Sequence, residues 1–329
     1  MTGLSDSFQR PINYLRISVT DRCNLRCIYC MPPEGVCLMS HEDILSYEEI
    51  YNIAEAATEL GINKVRITGG EPLVRAGLPG LVRMLAQIDA IDDLSLTTNG
   101  TLLAQYAAEL KAAGLRRVNV SLDTLKTDKF KYITRAKGNN LGDVLEGIEA
   151  ARAAGLTPVK INMVVMGGIN EDELLDFAAK TVDEEWHVRF IELMPIAGKG
   201  TDASHFVPAS DIRKRIEVLG TLAPYSTEIG NGPAKYFRLP QAKGTIGFIT
   251  PVTEHFCLQC NRLRLTADGK LRPCLLSNEE IDLRQPARSV MTPVELKSLI
   301  KEAAASKPLR HKLDKGGILQ NRPFSQVGG

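Results

Sequence analysis

The chain carries no excess of one charge: 40 Lys and Arg stand against 39 Asp and Glu in 329 residues. No global basic field therefore draws it onto nucleic acid, and any anion site must be local. No apolar run approaches the roughly 20 residues that cross a bilayer, and positions 1–9 are polar, without the apolar core of a secretory signal. Low-complexity segments are missing, as is any internal repeat beyond a βα rhythm. The expectation is a cytoplasmic protein that binds neither nucleic acid nor membrane. Seven cysteines in such a chain read as metal ligands rather than disulfides. Histidine is scarce: His41, His187, His205, His255 and His311 show no ligand spacing, and each reads as surface or packing.

At 44% hydrophobic content the chain can bury one large core and a smaller one, since single α/β barrels run to roughly 250 residues. Between residues 14 and 193, β-branched runs alternate with amphipathic helical stretches every roughly 25 to 30 residues, the rhythm of βα units. Strands are expected at 14–20, 64–68, 93–98, 117–122, 157–165 and 187–193. Ser46 and Glu49 stand in capping-box spacing, and Gly61, Gly114 and Gly155 sit where helices should stop. The fold class is α/β: an incomplete (βα)6 TIM-type barrel, open on one side. Beyond Met194-Pro195 the period changes, with Gly198 and Gly200 in a loop and a helix near 210–219. A smaller C-terminal α+β part follows, with antiparallel strands at 234–239 and 245–250. A hairpin turn at Ala267-Asp268-Gly269 joins strands at 262–266 and 270–273, and Thr292, Pro293 and Glu295 mark a late helix start. The expected division is 1–222 and 223–329.

Two cysteine trios carry the chemistry. Cys23, Cys27 and Cys30 fall within eight residues, directly after the first strand. A cubane cluster held by three thiolates leaves one iron open to a small molecule, whereas four would close it. A zinc knuckle needs a fourth N or S ligand, and no His stands nearby. Cys257 and Cys260 precede the hairpin, and Cys274 follows after thirteen intervening residues. The turn can bring these three sulfurs together. A zinc ribbon is the alternative, with His255 as the sole nearby fourth ligand. Cys260, Arg262 and Arg264 share parity along a strand, while Leu263 and Leu265 face the core. Planar guanidinium forks suit phosphate; the bland alternative is a solvated edge-strand pair. Cys37, outside both trios, reads as a bystander.

Barrel sites gather at the C-terminal strand ends. Those ends hold the cysteine loop, Thr68-Gly69-Gly70-Glu71-Pro72, Thr97-Thr98-Asn99-Gly100, Ser121-Leu122-Asp123 and Glu192-Leu193-Met194. Glycines there let backbone approach a ligand closely, and hydroxyls or carboxylates orient it.

The Cys-x-x-x-Cys-x-x-Cys spacing, with Tyr29 just before the last cysteine, resembles the radical S-adenosylmethionine (SAM) superfamily. Gly69-Gly70 is similar to its SAM-amine motif. Tyr14-Leu15-Arg16-Ile17-Ser18, the two-arginine strand and the terminal Gly328-Gly329 extend the resemblance over nearly the whole chain, to the branch that cyclises GTP at the start of molybdenum cofactor biosynthesis. The resemblance implies two 4Fe-4S clusters, on Cys23, Cys27 and Cys30 and on Cys257, Cys260 and Cys274, with SAM as cofactor. It implies that Tyr29, Gly69, Gly70, Glu71, Ser121 and Met194 meet SAM. GTP would meet Arg16, Arg66, Thr97, Lys160, Arg262 and Arg264, and Leu263 through its backbone. Arg16, Arg262, Arg264 and the tail Gly328-Gly329 would serve the reaction itself.

The implied chemistry is reductive cleavage of SAM to methionine and a 5'-deoxyadenosyl radical, which takes hydrogen from the ribose 3' carbon. Attack on guanine carbon 8 follows, giving (8S)-3',8-cyclo-7,8-dihydroguanosine 5'-triphosphate, with the two clusters facing each other across a barrel mouth. Implied partners are an external electron donor, the next pathway enzyme, cyclic pyranopterin monophosphate synthase, and a second copy in a homodimer. Two alternatives stand beside this reading. A peptide-modifying radical SAM enzyme would usually carry more cysteines in its auxiliary domain. A non-catalytic metal protein on nucleic acid would need a basic stripe and closed metal sites.

Overall fold

A computed structural model describes residues 3–138, 140–194, 203–226, 232–288, 293–311, 322 and 324–328. Pro195, Gly198, Gly200, Thr292 and Gly329 lie outside them. Six strands form the central part: β1 Tyr14–Ser18, β2 Lys64–Thr68, β3 Asp93–Thr98, β4 Arg117–Ser121, β5 Lys160–Val165 and β6 His187–Glu192. Each runs parallel to the next, in chain order. The fifth starts later than its pattern suggests because Pro158 has no N–H for a ladder. Helices cover the apolar side. The helix Tyr47–Thr58 opens with the expected capping box, in which Ser46 Oγ accepts from Glu49 N at 3.1 Å and Glu49 Oε2 accepts from Ser46 N at 2.7 Å.

The remaining strands are β7 Ala223–Pro224, β8 Lys235–Arg238, β9 Thr245–Ile249, β10 Arg262–Leu265, β11 Lys270–Arg272 and β12 Ile281–Asp282. The expected hairpin pairs, β8 with β9 and β10 with β11, are present and antiparallel. They do not build a small sheet of their own. They extend the central sheet at both ends, in the order β12-β11-β10-β1-β2-β3-β4-β5-β6-β9-β8-β7. β9 lies parallel beside β6, and β10 lies parallel beside β1 with Tyr14 opposite Arg262 and Arg16 opposite Arg264. An open six-stranded sheet has two unpaired edges, and the C-terminal segment caps each of them.

Glu192 fastens this arrangement. Its carboxylate is 1% exposed. It accepts from Ala209 N, Val252 N and Thr253 N, each at 3.0 Å, and from the Thr253 hydroxyl. One side chain at the end of β6 thus holds the start of the helix Ala209–Ile216 and the loop that leads to Cys257. Glu192→Gln replaces one accepting oxygen by a donor, leaving buried N–H groups unmatched at about 1–3 kcal/mol each. We expect a lower thermal unfolding midpoint for Glu192→Gln, equivalent to about 3 kcal/mol; an unchanged midpoint in differential scanning calorimetry would refute this role.

Candidate active site

One face of the central sheet is apolar and the other is cationic. Residues such as Leu15, Ile67, Leu96, Val120 and Leu263 pack in the main core. The opposite parity carries Arg16, Arg66, Arg117, Lys160, Arg189, Arg262 and Arg264. Arg16 lies beside Arg264 on one neighbour and Arg66 on the other, and Asn119 lies beside Lys160. Apart from the half-buried Arg16, none of these cations is more than 8% exposed. So polar a face is this dry only where the sheet curls on itself. Ordinary barrels fill their interior with branched apolar layers; this one is lined with positive charge.

Asp93 balances part of that charge through a two-point ion pair with Arg117, whose Nε donates to Oδ1 at 2.9 Å. Arg189 donates to Asn119 Oδ1 at 2.6 Å, and Arg66 donates to Ser95 Oγ at 3.2 Å. Arg189 Nε, Arg262 Nε and Thr97 Oγ1 are buried with no hydrogen-bond partner among the described residues. Burial and mutual repulsion weaken these bases. Arg66 and Arg264 are each pushed down to about 10, and Arg16 falls well below the guanidinium range. Burial, then Arg189, Arg117 and Arg66, lowers Lys160 to about 6. Buried donors awaiting acceptors, among repelling cations, suit a polyanion.

The first trio occupies the loop after β1. Burial pushes Cys23 up to about 11, Cys30 to about 12 and Cys27 well above the thiol range. Thiols in this setting ionise against a directly bound metal, which an iron cluster provides. Leu25 N donates to Cys23 Sγ at 3.4 Å. Tyr29 donates from its hydroxyl to Asp123 Oδ2 at 2.8 Å, and Asp123 Oδ1 accepts from Val164 N at 2.8 Å. Gly69 and Gly70 press against the backbone of this loop. A Cβ on Gly70 would lie 2.3 Å from Arg22 O and 2.9 Å from Asp21 O. Glu71 turns towards β3: it accepts from Leu73 N, Thr98 Oγ1 and Asn99 N at 3.1, 2.7 and 2.6 Å. Ser121 and Met194 are half-buried, at the end of β4 and just beyond β6.

The second trio surrounds the start of β10. Cys257 and Cys260 flank a single tight turn, with Cys260 N donating to Cys257 O at 3.1 Å, and Leu276 N donates to Cys274 Sγ at 3.4 Å. Although burial opposes it, the positive charge of Arg262 and Lys307 holds Cys260 down at about 6. His255, the candidate fourth zinc ligand, is engaged with Pro251 O at 3.1 Å and with His311 at 3.1 Å. Among the described residues, no three His, Cys, Asp or Glu side chains converge as a single metal ion requires. Three thiols in each set, with His255 already engaged, are donors that suit a thiolate-held cluster.

The two trios do not face each other across one mouth. β10 runs parallel to β1, so Cys260 precedes the strand at the end opposite to the loop that carries Cys23. The length of β1, Tyr14–Ser18, separates the two levels, roughly 13 Å at about 3.3 Å per residue. The cationic lumen lies between them. Arg262 and Arg264 project into it, whereas Leu263 is fully buried in the apolar core and has only backbone to offer.

The C-terminal turn enters the same space. Arg264 Nη1 donates to Gly328 O at 2.9 Å, and a Cβ on Gly328 would lie 2.7 Å from Thr68 Cγ2. Phe324 packs with Met194 and Leu276. Cys37 is exposed, and its carbonyl accepts from Gln326 at 3.3 Å. Sequence reasoning missed Arg117 and Arg189. Their parity with Arg66 and Lys160 is the signal that could have found them, since charged residues at alternate positions of interior strands must share a face.

Residues 17–180 match the model of the Radical SAM superfamily, and residues 186–313 match Molybdenum Cofactor Synthesis C. Over 326 residues the chain is 52% identical to the GTP 3',8-cyclase of Moorella thermoacetica, covering 99% of this chain and 100% of that protein. It is 53% identical over 328 residues to that of Pelotomaculum thermopropionicum, with the same two shares. The fold is similar to Streptococcus suis SuiB bound to S-adenosylmethionine, at TM-score 0.61 and 13% identity, over 84% of this chain and 64% of that one.

The contact of Gly70 with the cysteine loop gives a direct test. Gly70→Ala must displace Asp21 and Arg22, and with them Cys23. Anaerobic reconstitution with iron and sulfide should load the first trio less completely in Gly70→Ala. Gly142→Ala, whose Cβ meets open space, should load normally. Equal iron and sulfide contents in the two variants would show that the close approach is irrelevant.

Proposed function

The chain belongs to the GTP 3',8-cyclase family of radical SAM enzymes, and we propose that it holds GTP in its cationic lumen and converts it to (8S)-3',8-cyclo-7,8-dihydroguanosine 5'-triphosphate. The observation that carries this reading is the dry, positively charged interior between two cysteine trios. Cys23, Cys27 and Cys30 would hold one 4Fe-4S cluster, and Cys257, Cys260 and Cys274 a second. When bound, the first cluster would supply the electron for reductive cleavage of SAM, and the second would supply Lewis-acid and redox chemistry to the nucleotide.

The protein's own groups do the rest. Arg66, Lys160, Arg189 and Arg264 lie where they can neutralise a triphosphate, and Arg16 joins Arg66 to Arg264 across the sheet. Thr97 offers a buried hydroxyl. Gly70, Ser121 and Met194 frame the SAM side, and the Tyr29–Asp123 bond fixes the ring ahead of Cys30. With ribose and base held in attack geometry, much of the entropic barrier is removed before reaction. The tail fills the space beside Arg264 and screens it from water. Gly329 belongs to the tail in this reading and lies outside the described residues. An external electron donor, a downstream enzyme that accepts the cyclised nucleotide, and a homodimer belong to the same proposal.

Incubation of the reconstituted protein with dithionite, SAM and GTP should yield methionine, 5'-deoxyadenosine and the cyclised product; omission of GTP should abolish the last. Arg264→Ala should weaken GTP binding by about 1.5–3 kcal/mol, the worth of a charge-assisted contact, and guanosine binding far less. Equal losses for both would mean that Arg264 does not serve the triphosphate.

Lys160 gives a pH test. Lowered to about 6, it is mostly neutral at pH 7 in the free protein. An adjacent polyanion favours its charged form and raises its pKa towards the ordinary lysine value. Between those two values GTP binding must therefore take up a proton. Titration calorimetry at pH 8 in buffers of different ionisation enthalpy should detect the uptake, and Lys160→Met should eliminate it. Uptake that persists in Lys160→Met would assign the proton elsewhere.

A further inference from the structure

Besides Arg262, whose Nη2 donates to Cys260 Sγ at 3.7 Å, two buried cations from opposite parts of the chain grip the second trio. Arg10 donates from Nη1 to Cys257 O at 2.6 Å and to Leu309 O at 3.2 Å, and from Nη2 to Pro308 O at 2.8 Å. Lys307, 2% exposed, donates from Nζ to Arg262 O at 2.8 Å and Pro273 O at 2.6 Å. Its ammonium also lies against the Cys260 sulfur and within electrostatic reach of Cys274. Pro273 immediately precedes Cys274, and Arg262 follows Cys260 by two residues. One ammonium thus ties together the two segments that the hairpin separates, with two of its three N–H donors on backbone carbonyls.

The two cations differ in charge balance. Arg10 is paired with Asp6, whose Oδ2 it meets at 2.5 Å in a buried ion pair. Among the described residues no carboxylate lies in an ion pair with Lys307; its partners are carbonyls and thiols. A lysine is almost never fully buried without an anion. The group at hand that can become anionic is the cysteine set itself. The first trio has a mixed setting, with the buried carboxylates of Glu71 near Cys23 and Asp123 near Cys27 beside the cation of Arg26 near Cys23 and Cys30.

We propose that Lys307 is a positioning residue whose positive charge, closed by the thiolates of the second trio, raises the reduction potential of the cluster held there. The inference rests on the reading of that trio as a cluster site. In the one-electron couple the reduced cluster carries one more negative charge, which a neighbouring buried ammonium favours; net charge and hydrogen bonds to sulfur are among the levers that set such potentials. Arg10, already neutralised by Asp6, contributes framework without that electrostatic effect.

The test is a dithionite titration of the fully reconstituted protein followed by electron paramagnetic resonance, with the first cluster as internal reference. Lys307→Arg keeps the charge, Lys307→Gln keeps a donor without charge, and Lys307→Met keeps neither. The second cluster in both neutral variants should become at least tenfold harder to reduce, a fall of about 59 mV for one electron, while Lys307→Arg stays near the parent and the first cluster does not move. Retention of the second cluster in Lys307→Arg but its loss from both neutral variants would support the same assignment. An unshifted second cluster in a loaded neutral variant would overturn it, as would loss of the cluster from all three variants. Failure of the parent protein to bind a second cluster, seen in its iron content and spectrum, would instead remove the cluster reading and the proposal with it.

Discussion

Positive charge kept out of water governs this fold. Burying an ion costs several kcal/mol even after relaxation, and here Arg66, Lys160, Arg189, Arg262 and Arg264 are buried on one sheet face with Asp93 committed to Arg117. The opposite face offsets that penalty. Its leucines, isoleucines and valines pack under helices, and the C-terminal strands close both edges of the sheet. The donors are thereby fixed in advance, so an entering anion meets dipoles and charges that need not reorganise. Stability and binding oppose each other at these positions, as is common where a site must be poised.

The ends of the lumen differ in electrostatic character. Carboxylates of Glu71 and Asp123 stand near the first trio, and burial raises them to about 7 and about 6. Arg262 and Lys307 stand near the second trio. The gradient is built from local hydrogen bonding: Glu71 is held by β3 donors and Asp123 by Tyr29 and Val164, so neither carboxylate can swing into the lumen to cancel its charge.

Much of this was legible because its signals are local. Alternation of β-branched residues located the six central strands, Ser46 and Glu49 located a helix start, and cysteine spacing located both trios. What escaped depends on contacts between distant segments. The placement of β9 beside β6 and of β10 beside β1 follows from edge pairing, which no short window contains. It sends the second trio to the far end of the lumen, where a hairpin read alone had suggested a shared mouth. Arg117 and Arg189 look like ordinary strand residues until register puts them beside Ser95 and Asn162. Lys307 and Arg10 act on backbone carbonyls, and a carbonyl has no sequence signature.

The turn at Gly328 ties a late segment of the chain to the central sheet, since Gly328 meets Arg264 and packs against Ser18 and Thr68. Synthesis from the N-terminus means that β1 through β10 emerge from the ribosome before this turn exists. The contact beside Arg264 is therefore made only after the strands it covers. With Gly328 at φ +71° and a Cβ there only 2.7 Å from Thr68 Cγ2, that late closure admits glycine and no bulkier residue into the gap between finished strands.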